Sequence, residues 1–135
     1  MAKKGLTPEE RARLEEEAVL EAIKALPEPD RTLAEALHRL VRLEAPGLAP
    51  RLWYGMPAYA LGGKVVLFFQ PASKFKTRYA TLGFTDAARL DEGLLFPVAF
   101  GLKGLGPNEE EALRALLKKA LPEAPPPPRR SGPRG

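Results

Sequence analysis

The residues that could bind a charged ligand lie in the alternating run Ser73–Tyr79. In an extended chain, Lys74, Lys76 and Arg78 would share one face, because successive side chains of a strand point to opposite sides. Like charges at this spacing repel one another unless solvent or an anion separates them. The run therefore predicts either a charged edge strand that resists aggregation or a face that binds a small anionic ligand.

An aromatic stretch, Trp53–Tyr59, precedes this run and is the most unusual segment of the chain. Its large side chains could fill the junction between helices and sheet, since aromatic and methionine side chains suit irregular cores. Aromatic walls beside cations also line clefts for small ligands. The stretch thus predicts either core packing or, if it faces the basic run, a cleft for an anionic metabolite. The side chains concerned are Trp53, Tyr54, Met56 and Tyr59.

The first predicted helix carries a row of carboxylates that includes Glu15, Glu16 and Glu17. Carboxylate oxygens could hold a hard or borderline cation there. Alternatively, Arg11 and Arg13 would form ion pairs with acids one helical turn away and leave a solvated face. The acids match no metal-ligand spacing, so a weak metal site and a solvated face both stay open.

Nucleophilic catalysis lacks its usual residues in this sequence. There is no cysteine, and His38 is the only histidine. Ser73 is the only serine of the predicted folded part, and a Ser–His pair would need both side chains within hydrogen-bond reach. No glycine-rich phosphate motif occurs. We therefore expect a binding domain rather than an enzyme, with His38 in a packing or surface role.

Composition and charge limit the remaining functions. The 135 residues suit one domain, and residues 6–121 hold 16 basic and 16 acidic side chains, so the net charge of +4 lies at the ends. A nucleic-acid module carries its basic excess on the domain surface, so specific nucleic-acid binding is not expected. No apolar run reaches the length of a membrane span, and the lack of cysteine fits a cytoplasmic protein. Scarce amide side chains suggest either a thermophile or a GC-rich genome.

Three helices are predicted from capping signals and apolar periodicity. Thr7 and Glu10 can form a capping box for a helix that ends near Leu26, with Ala12, Val19, Ile23 and Leu26 facing the core. Asp30 is expected to cap a second helix over residues 31–45, and a last helix is expected from Gly106-Pro107 to Leu121.

The middle of the chain has the alternation and turn signals of strands. Gly62-Gly63 suits a two-residue hairpin turn, and residues 64–70 are apolar on both alternating faces, which predicts a buried central strand. The other predictions are strands over residues 51–54, 58–61, 76–83 and 94–102, and a short helix over residues 85–90.

The order of these elements predicts an α+β domain. We expect a central, mostly antiparallel sheet of about four to five strands, with two N-terminal helices and one C-terminal helix packed on it. The domain would span residues 7–121, between a disordered basic N-terminus (1–6) and a disordered tail rich in proline and arginine (122–135).

Several segments resemble the YdhG-like family of bacterial proteins. They are WYGMPAY, GGKVVLFFQ, KFKTRYATLGF and FPVAFGLKGL, preceded by LPEPDRTLAEALHRLV. The resemblance covers about residues 25–121 and implies a compact α+β fold with a central antiparallel sheet. Some members are described as frataxin-like intracellular iron chaperones, which implies iron binding on an acidic helical surface and delivery to a partner protein. The first hypothesis is therefore iron delivery, and the alternative is binding of an anionic metabolite in the aromatic and basic cleft.

Overall fold

The computed structural model describes residues 6–121, which form four helices and five strands. Three helices are long, and α3 is a single turn. The helices are α1 (Pro8–Lys24), α2 (Asp30–Glu44), α3 (Ala72–Phe75) and α4 (Pro107–Ala120). The strands are β1 (Ala49–Trp53), β2 (Met56–Leu61), β3 (Lys64–Gln70), β4 (Ala80–Phe84) and β5 (Ala99–Leu102).

The sheet is a fully antiparallel meander in the order β1-β2-β3-β4-β5. Two helices precede it and α4 follows it, so the predicted α+β architecture is confirmed. The apolar strand β3 is the central one, as its sequence indicates. Within residues 6–121, no helix combines the length and apolar character needed to cross a bilayer.

One face of the sheet packs against the three long helices. Tyr59 pairs with Leu67, which pairs with Phe84, and directly paired residues project to the same side of a sheet. These side chains join one buried cluster with apolar residues of the helices. The helical members of this cluster are Val19, Ile23, Leu33, Ala34, Leu37, Leu40, Val41, Leu113, Leu117 and Ala120. We call this side of the sheet the helix face.

The opposite side of the sheet, which we call the open face, carries the side chains that alternate along each strand with those of the helix face. Ala58 pairs with Arg51 on one side and with Phe68 on the other, and Phe68 pairs with Gly83. Ala58 is fully buried, yet it lies outside the cluster formed with the helices. The long helices therefore contribute their apolar stripes to one face only.

Local capping and turn signals act as the sequence predicts. The Thr7 amide donates to Glu10 Oε1 and the Glu10 amide donates to Thr7 Oγ1, each at 3.0 Å. This capping box satisfies amides that the first turn of α1 leaves free. Gly62 and Gly63, at φ of 59° and 85°, form the predicted two-residue turn between β2 and β3.

Two predictions about the helices are wrong. Ala12 is exposed, and only Val19 and Ile23 of α1 are buried. Asp30 does not cap α2. Instead Glu28 Oε1 accepts a 3.1 Å hydrogen bond from the Thr32 amide.

Three predictions for the chain after β3 are wrong in their bounds or in the type of element. The strand expected over residues 76–83 begins only at Ala80, because α3 and a turn occupy the chain before it. Residues 85–90 form turns rather than a helix. The strand expected over residues 94–102 is reduced to the edge strand β5 (Ala99–Leu102), after a loop that contains Pro97. Pro97 has no amide hydrogen to pair in a sheet, which suits the loop.

Candidate binding cavity

The basic run of the sequence is divided between two places in the fold. Lys74 lies on α3, whereas Lys76 ends that helix with left-handed backbone angles (φ 58°, ψ 44°). The left-handed residue reverses the chain direction, so Lys74, Lys76 and Arg78 do not share the face of a strand. The anion-binding prediction therefore has to be considered for each cation separately.

Lys76 and Arg78 line a cavity of about 470 Å³ at the end of the sheet. It lies between the start of α2, the segment that links α3 to β4, and the end of β5. Apolar side chains of Leu33 and Leu102, both buried, form part of its wall. The complete lining is Glu28, Pro29, Asp30, Leu33, Ala72, Ser73, Lys76, Thr77, Arg78, Tyr79, Ala80, Leu102 and Lys103.

The cavity contains three cationic side chains, Lys76, Arg78 and Lys103. None of them forms an ion pair with any acid between residues 6 and 121. The Arg78 guanidinium lies 5.3 Å from the centre of the Tyr79 ring, which is within the range of a cation–π contact. Lys103 was missed in the sequence because it follows a distant strand, and only the antiparallel pairing of β4 with β5 brings it here.

The two acids of the cavity lining already have partners. Asp30 is 3% exposed, and its Oδ2 accepts a 2.9 Å hydrogen bond from the Ser73 amide. Glu28 pairs with Arg31 at 3.0 Å, and hydrogen bonds from Thr32 and Arg31 lower the pKa of its carboxyl. Asp30 thus joins α2 to α3 and Glu28 binds the first turn of α2, so the two lysines and the arginine are the charges left for a ligand.

The aromatic stretch is a tight hairpin. Trp53 pairs with Met56 across the two-residue turn Tyr54-Gly55, whose φ values are 53° and 77°. Met56 and Tyr59 are buried, in agreement with the packing interpretation, whereas Tyr54 is 82% exposed. Neither Trp53 nor Tyr54 lines the 470 Å³ cavity. The predicted cleft between this stretch and all three cations is therefore not the arrangement found.

Lys74 is the one predicted cation that approaches the aromatic hairpin. A Cβ atom placed on Gly55 would lie 2.7 Å from Lys74 Nζ. Trp53 also contacts Tyr54 and Phe68, with ring centres 5.0 and 5.1 Å apart. The structure thus brings Lys74 to the aromatic hairpin, and Lys76 and Arg78 to the cavity.

A network of hydrogen bonds between largely buried side chains links α1, α2 and β2. His38 Nδ1 lies 2.9 Å from the Tyr59 hydroxyl, and His38 Nε2 lies 3.2 Å from Glu16 Oε2. A carboxylate only accepts hydrogen bonds, so Nε2 carries the proton and Nδ1 accepts from the Tyr59 O–H. Burial lowers the pKa of His38, against the opposing effect of Glu16, and raises the pKa of Tyr59. Both side chains are therefore neutral near pH 7, which satisfies this chain of donors and acceptors.

Two residues of this network, Glu16 and His38, also line a groove of about 610 Å³ between α1 and α2. Glu16 accepts from His38 and lies 3.4 Å from Arg42 Nε, and Arg42 Nη1 donates to the Leu48 carbonyl. Because these polar groups satisfy one another, the groove offers a ligand fewer free groups than the 470 Å³ cavity does. The sequence signal for this network was weak, since His38 stands alone at the margin of an apolar stripe.

The predicted metal-binding acids do not converge on one point. Glu16 is engaged with His38 and Arg42, and Glu15 and Glu17 project in other directions because neighbours on a helix are about 100° apart. Residues 6–121 contain no group of three or more His, Cys, Asp or Glu side chains that could hold a metal ion. Iron delivery stays a prediction of the resemblance alone.

The contacts of His38 concern the Ser–His pair that the sequence analysis considered. Its two ring nitrogens are hydrogen-bonded to Tyr59 and Glu16, and among residues 6–121 no hydrogen bond joins His38 to Ser73.

Comparison of the chain with family models, with curated proteins and with solved structures finds no match. The YdhG-like resemblance accordingly stays a prediction from the sequence motifs.

Proposed function

We propose that this protein is a non-enzymatic binding domain whose ligand is a small anion held in the 470 Å³ cavity. The observation that carries the proposal is the set of unpaired cations, Lys76, Arg78 and Lys103, on the wall of one cavity. Cationic side chains brought together without acidic partners repel one another, and a bound anion removes that repulsion.

The backbone at Lys76 supports the same proposal. Lys76 ends α3 in the left-handed region, where glycine is the usual residue and other residues are disfavoured by about 1 kcal/mol. A lysine at this position costs folding energy that a glycine would not cost. Residues with strained backbone cluster at active sites and ligand-binding positions, and here the strained residue is a cation on the cavity wall.

The shape and lining of the cavity indicate the size and chemistry of the ligand. Its volume of about 470 Å³ lies within the range of small-molecule sites. Leu33 and Leu102 provide an apolar wall, and Tyr79 provides a ring beside Arg78. A compact anion with a phosphate or carboxylate group and a small apolar or planar body fits this lining.

Thermal unfolding in the presence of inorganic phosphate, pyrophosphate and citrate tests the proposal. A ligand at 100 times its dissociation constant stabilises the folded state by about 2.7 kcal/mol, which gives a clear rise in melting temperature. The double variant Lys76→Gly, Lys103→Ala should lose this rise and still fold, because glycine suits the left-handed position. Lys118→Ala removes one charge from the exposed side of α4 and serves as the control.

The outcome that contradicts the proposal is equally specific. If the double variant keeps the full anion-induced rise, the cavity is not the anion site. If none of the three anions shifts the melting temperature of the wild-type protein at millimolar concentration, phosphate and carboxylate groups do not bind in it.

A further inference from the structure

The sheet layer of this protein is positively charged although residues 6–121 as a whole are neutral. Between Glu44 and Asp86 the chain has five lysine or arginine residues and no acid. Strand β5 also lacks acids, and Lys103 follows it directly. The acids are confined to the helices and to the loops outside this region. The three long helices carry twelve acids and nine bases, and the whole excess of acids lies on α1. The five strands carry no acid, so the basic excess belongs to the sheet and its connecting turns.

Several of the paired residues on the open face of the sheet are alanine or glycine. Ala58 lies beside Phe68, Gly83 pairs with Ala99, and Thr81 pairs with Gly101. Aromatic rings lie over two of these glycines. A Cβ atom placed on Gly83 would be 2.4 Å from the Phe68 ring, so a glycine is needed beneath that ring. Tyr79 covers Gly101 in the same way, at 3.1 Å.

Aromatic rings form a row at one end of this face. Trp53 contacts Phe68 and Tyr54 with ring centres 5.1 and 5.0 Å apart, at tilted angles of 49° and 60°. A planar group cannot enter between rings at that separation, since stacked planes on both sides of a guest would be about 7 Å apart. Guests must therefore stack on the outer surfaces of the rings, which are open to solvent at Tyr54.

Tyr54 is an unusual residue for its position. A two-residue turn with two positive φ values favours Asn-Gly, whereas here Tyr54 takes the first place at φ 53°. Its side chain is 82% exposed, so packing in the fold compensates little of this strain. The fold thus holds an aromatic ring in solvent at the tip of the hairpin, where a planar ligand could stack on it.

Cations border the aromatic row, and none is paired with an acid of the described chain. Lys74 Nζ lies against the turn at Gly55, and Arg51 projects from the open face beside Ala58. Arg51 Nε is covered and has no hydrogen-bond partner within residues 6–121. The face therefore combines stacking surfaces with positive charge and has no acid to repel a polyanion.

We infer that the open face of the sheet binds single-stranded nucleic acid. Unpaired bases stack on exposed aromatic rings while lysine and arginine side chains neutralise the phosphates, and every base has a planar surface to offer. A duplex lacks free base surfaces, and a broad sheet face does not fit into its grooves. The occupant is thus a single strand, with bases on Tyr54 and Trp53 and phosphates near Lys74 and Arg51.

Intrinsic fluorescence reports this binding directly, because Trp53 is the only tryptophan of the chain. Titration of the full-length protein with an oligouridylate or oligothymidylate of about ten nucleotides should quench Trp53 fluorescence. A self-complementary hairpin of the same length should bind much more weakly. Vesicles of anionic lipid serve as a separate polyanion that has charge but no bases.

Two variants separate stacking from charge. Tyr54→Asn should weaken oligonucleotide binding about tenfold, the loss of one stacked base, and leave its salt dependence unchanged. Asparagine suits the left-handed position, so the same variant should unfold at an equal or higher temperature. Lys74→Ala should reduce the slope of log affinity against log salt by about 0.7, the value for one phosphate of a single strand. Lys118→Ala, on the helical layer, should change neither quantity.

Three results would overturn the inference. The first is the absence of Trp53 quenching by single strands at moderate salt. The second is binding that Tyr54→Asn and Lys74→Ala leave intact, which would assign it to the basic ends of the chain. The third is stronger binding to anionic vesicles than to oligonucleotides, with the same dependence on Lys74. Because these variants leave Lys76 and Lys103 in place, the result is independent of the proposed anion cavity.

Discussion

The two faces of the sheet use the same strands for different purposes. Phe69 is fully buried among the helices, whereas its neighbour Phe68 lies on the open face and is only partly buried. Both residues belong to one apolar strand, and the alternation of strand side chains sends them to opposite sides. The difference shows that β3 buries one set of side chains against the helices and leaves the other set on the face that we propose as a binding surface.

The polar residues of the two faces also differ, in whether they have partners within the protein. On the helix face, Glu16, His38 and Tyr59 satisfy one another. On the open face, Arg51 and Lys74 have no acidic partner within residues 6–121. Internally satisfied groups stabilise a fold, whereas unpaired charges at a surface remain free for a ligand.

The largest expected contrast is between the adjacent phenylalanines of β3. Phe69→Ala should reduce the free energy of unfolding by about 3–5 kcal/mol, the usual cost of removing a buried ring. Phe68→Ala should cost roughly half as much or less, because its ring is partly exposed before the change. Chemical denaturation of both variants measures the difference. Equal losses would mean that the two faces contribute alike to stability.

A methyl group beneath the Phe68 ring should have the next largest effect. Gly83→Ala places a Cβ atom 2.4 Å from that ring, and relief of such overpacking costs about 1–3 kcal/mol. The displaced ring should also change Trp53 fluorescence, because the two rings are in contact. Gly47→Ala is the matched control, since its Cβ meets nothing within 4 Å. A loss of stability as large in the control would contradict this account.

Removal of one buried hydroxyl should cost somewhat less. Tyr59→Phe takes away the donor to His38 Nδ1 and leaves a buried acceptor unpaired, which costs about 1–2 kcal/mol. Tyr54→Phe changes an exposed hydroxyl instead and should stay within about 0.5 kcal/mol of the wild type. Equilibrium unfolding compares the pair. The comparison fails if Tyr59→Phe is as stable as the wild type.

The smallest expected effect concerns pH. Burial lowers the pKa of His38 in the folded protein below its ordinary value of 6.5, so the unfolded chain binds more protons in mild acid. The stabilising contribution of His38 is therefore complete above about pH 6.5 and declines as the pH falls through the lower folded pKa. The stability difference between the wild type and His38→Gln should shrink between about pH 8 and pH 5. A difference that stays constant or widens in acid would contradict the assigned sign.

Much of the fold could be predicted from local signals. The capping box at Thr7, the double glycine at Gly62-Gly63 and the apolar strand 64–70 all form as expected, because each depends on residues close in sequence. The predicted strand over residues 76–83 was wrong in its first part, because that prediction too used only residues close in sequence. Its alternating pattern is compatible with a strand, but the turn of helix at Ala72–Phe75 and the left-handed Lys76 occupy its first part.

The candidate sites could be predicted only in part. The sequence marked Lys76 and Arg78 as ligand-binding candidates, yet Lys103 joins them through the pairing of β4 with β5. The sequence also placed Trp53 and Tyr54 in one cleft with all three cations, whereas the structure brings Lys74 to the turn at Gly55 and keeps Lys76 and Arg78 together in the cavity. Contacts between residues distant in sequence depend on strand order and register, which local patterns do not contain.

The sequence by itself determined the class of fold, the identity of the central strand and the absence of cysteine chemistry, because composition and periodicity act through neighbouring residues. Only the tertiary structure decided which side of each strand meets the helices. The alternation along β3 is apolar on both sides, so either face could have been buried. Packing of the helical stripes against Phe69 leaves Phe68 and Trp53 outward, and so creates a basic, aromatic surface on a domain with no net charge.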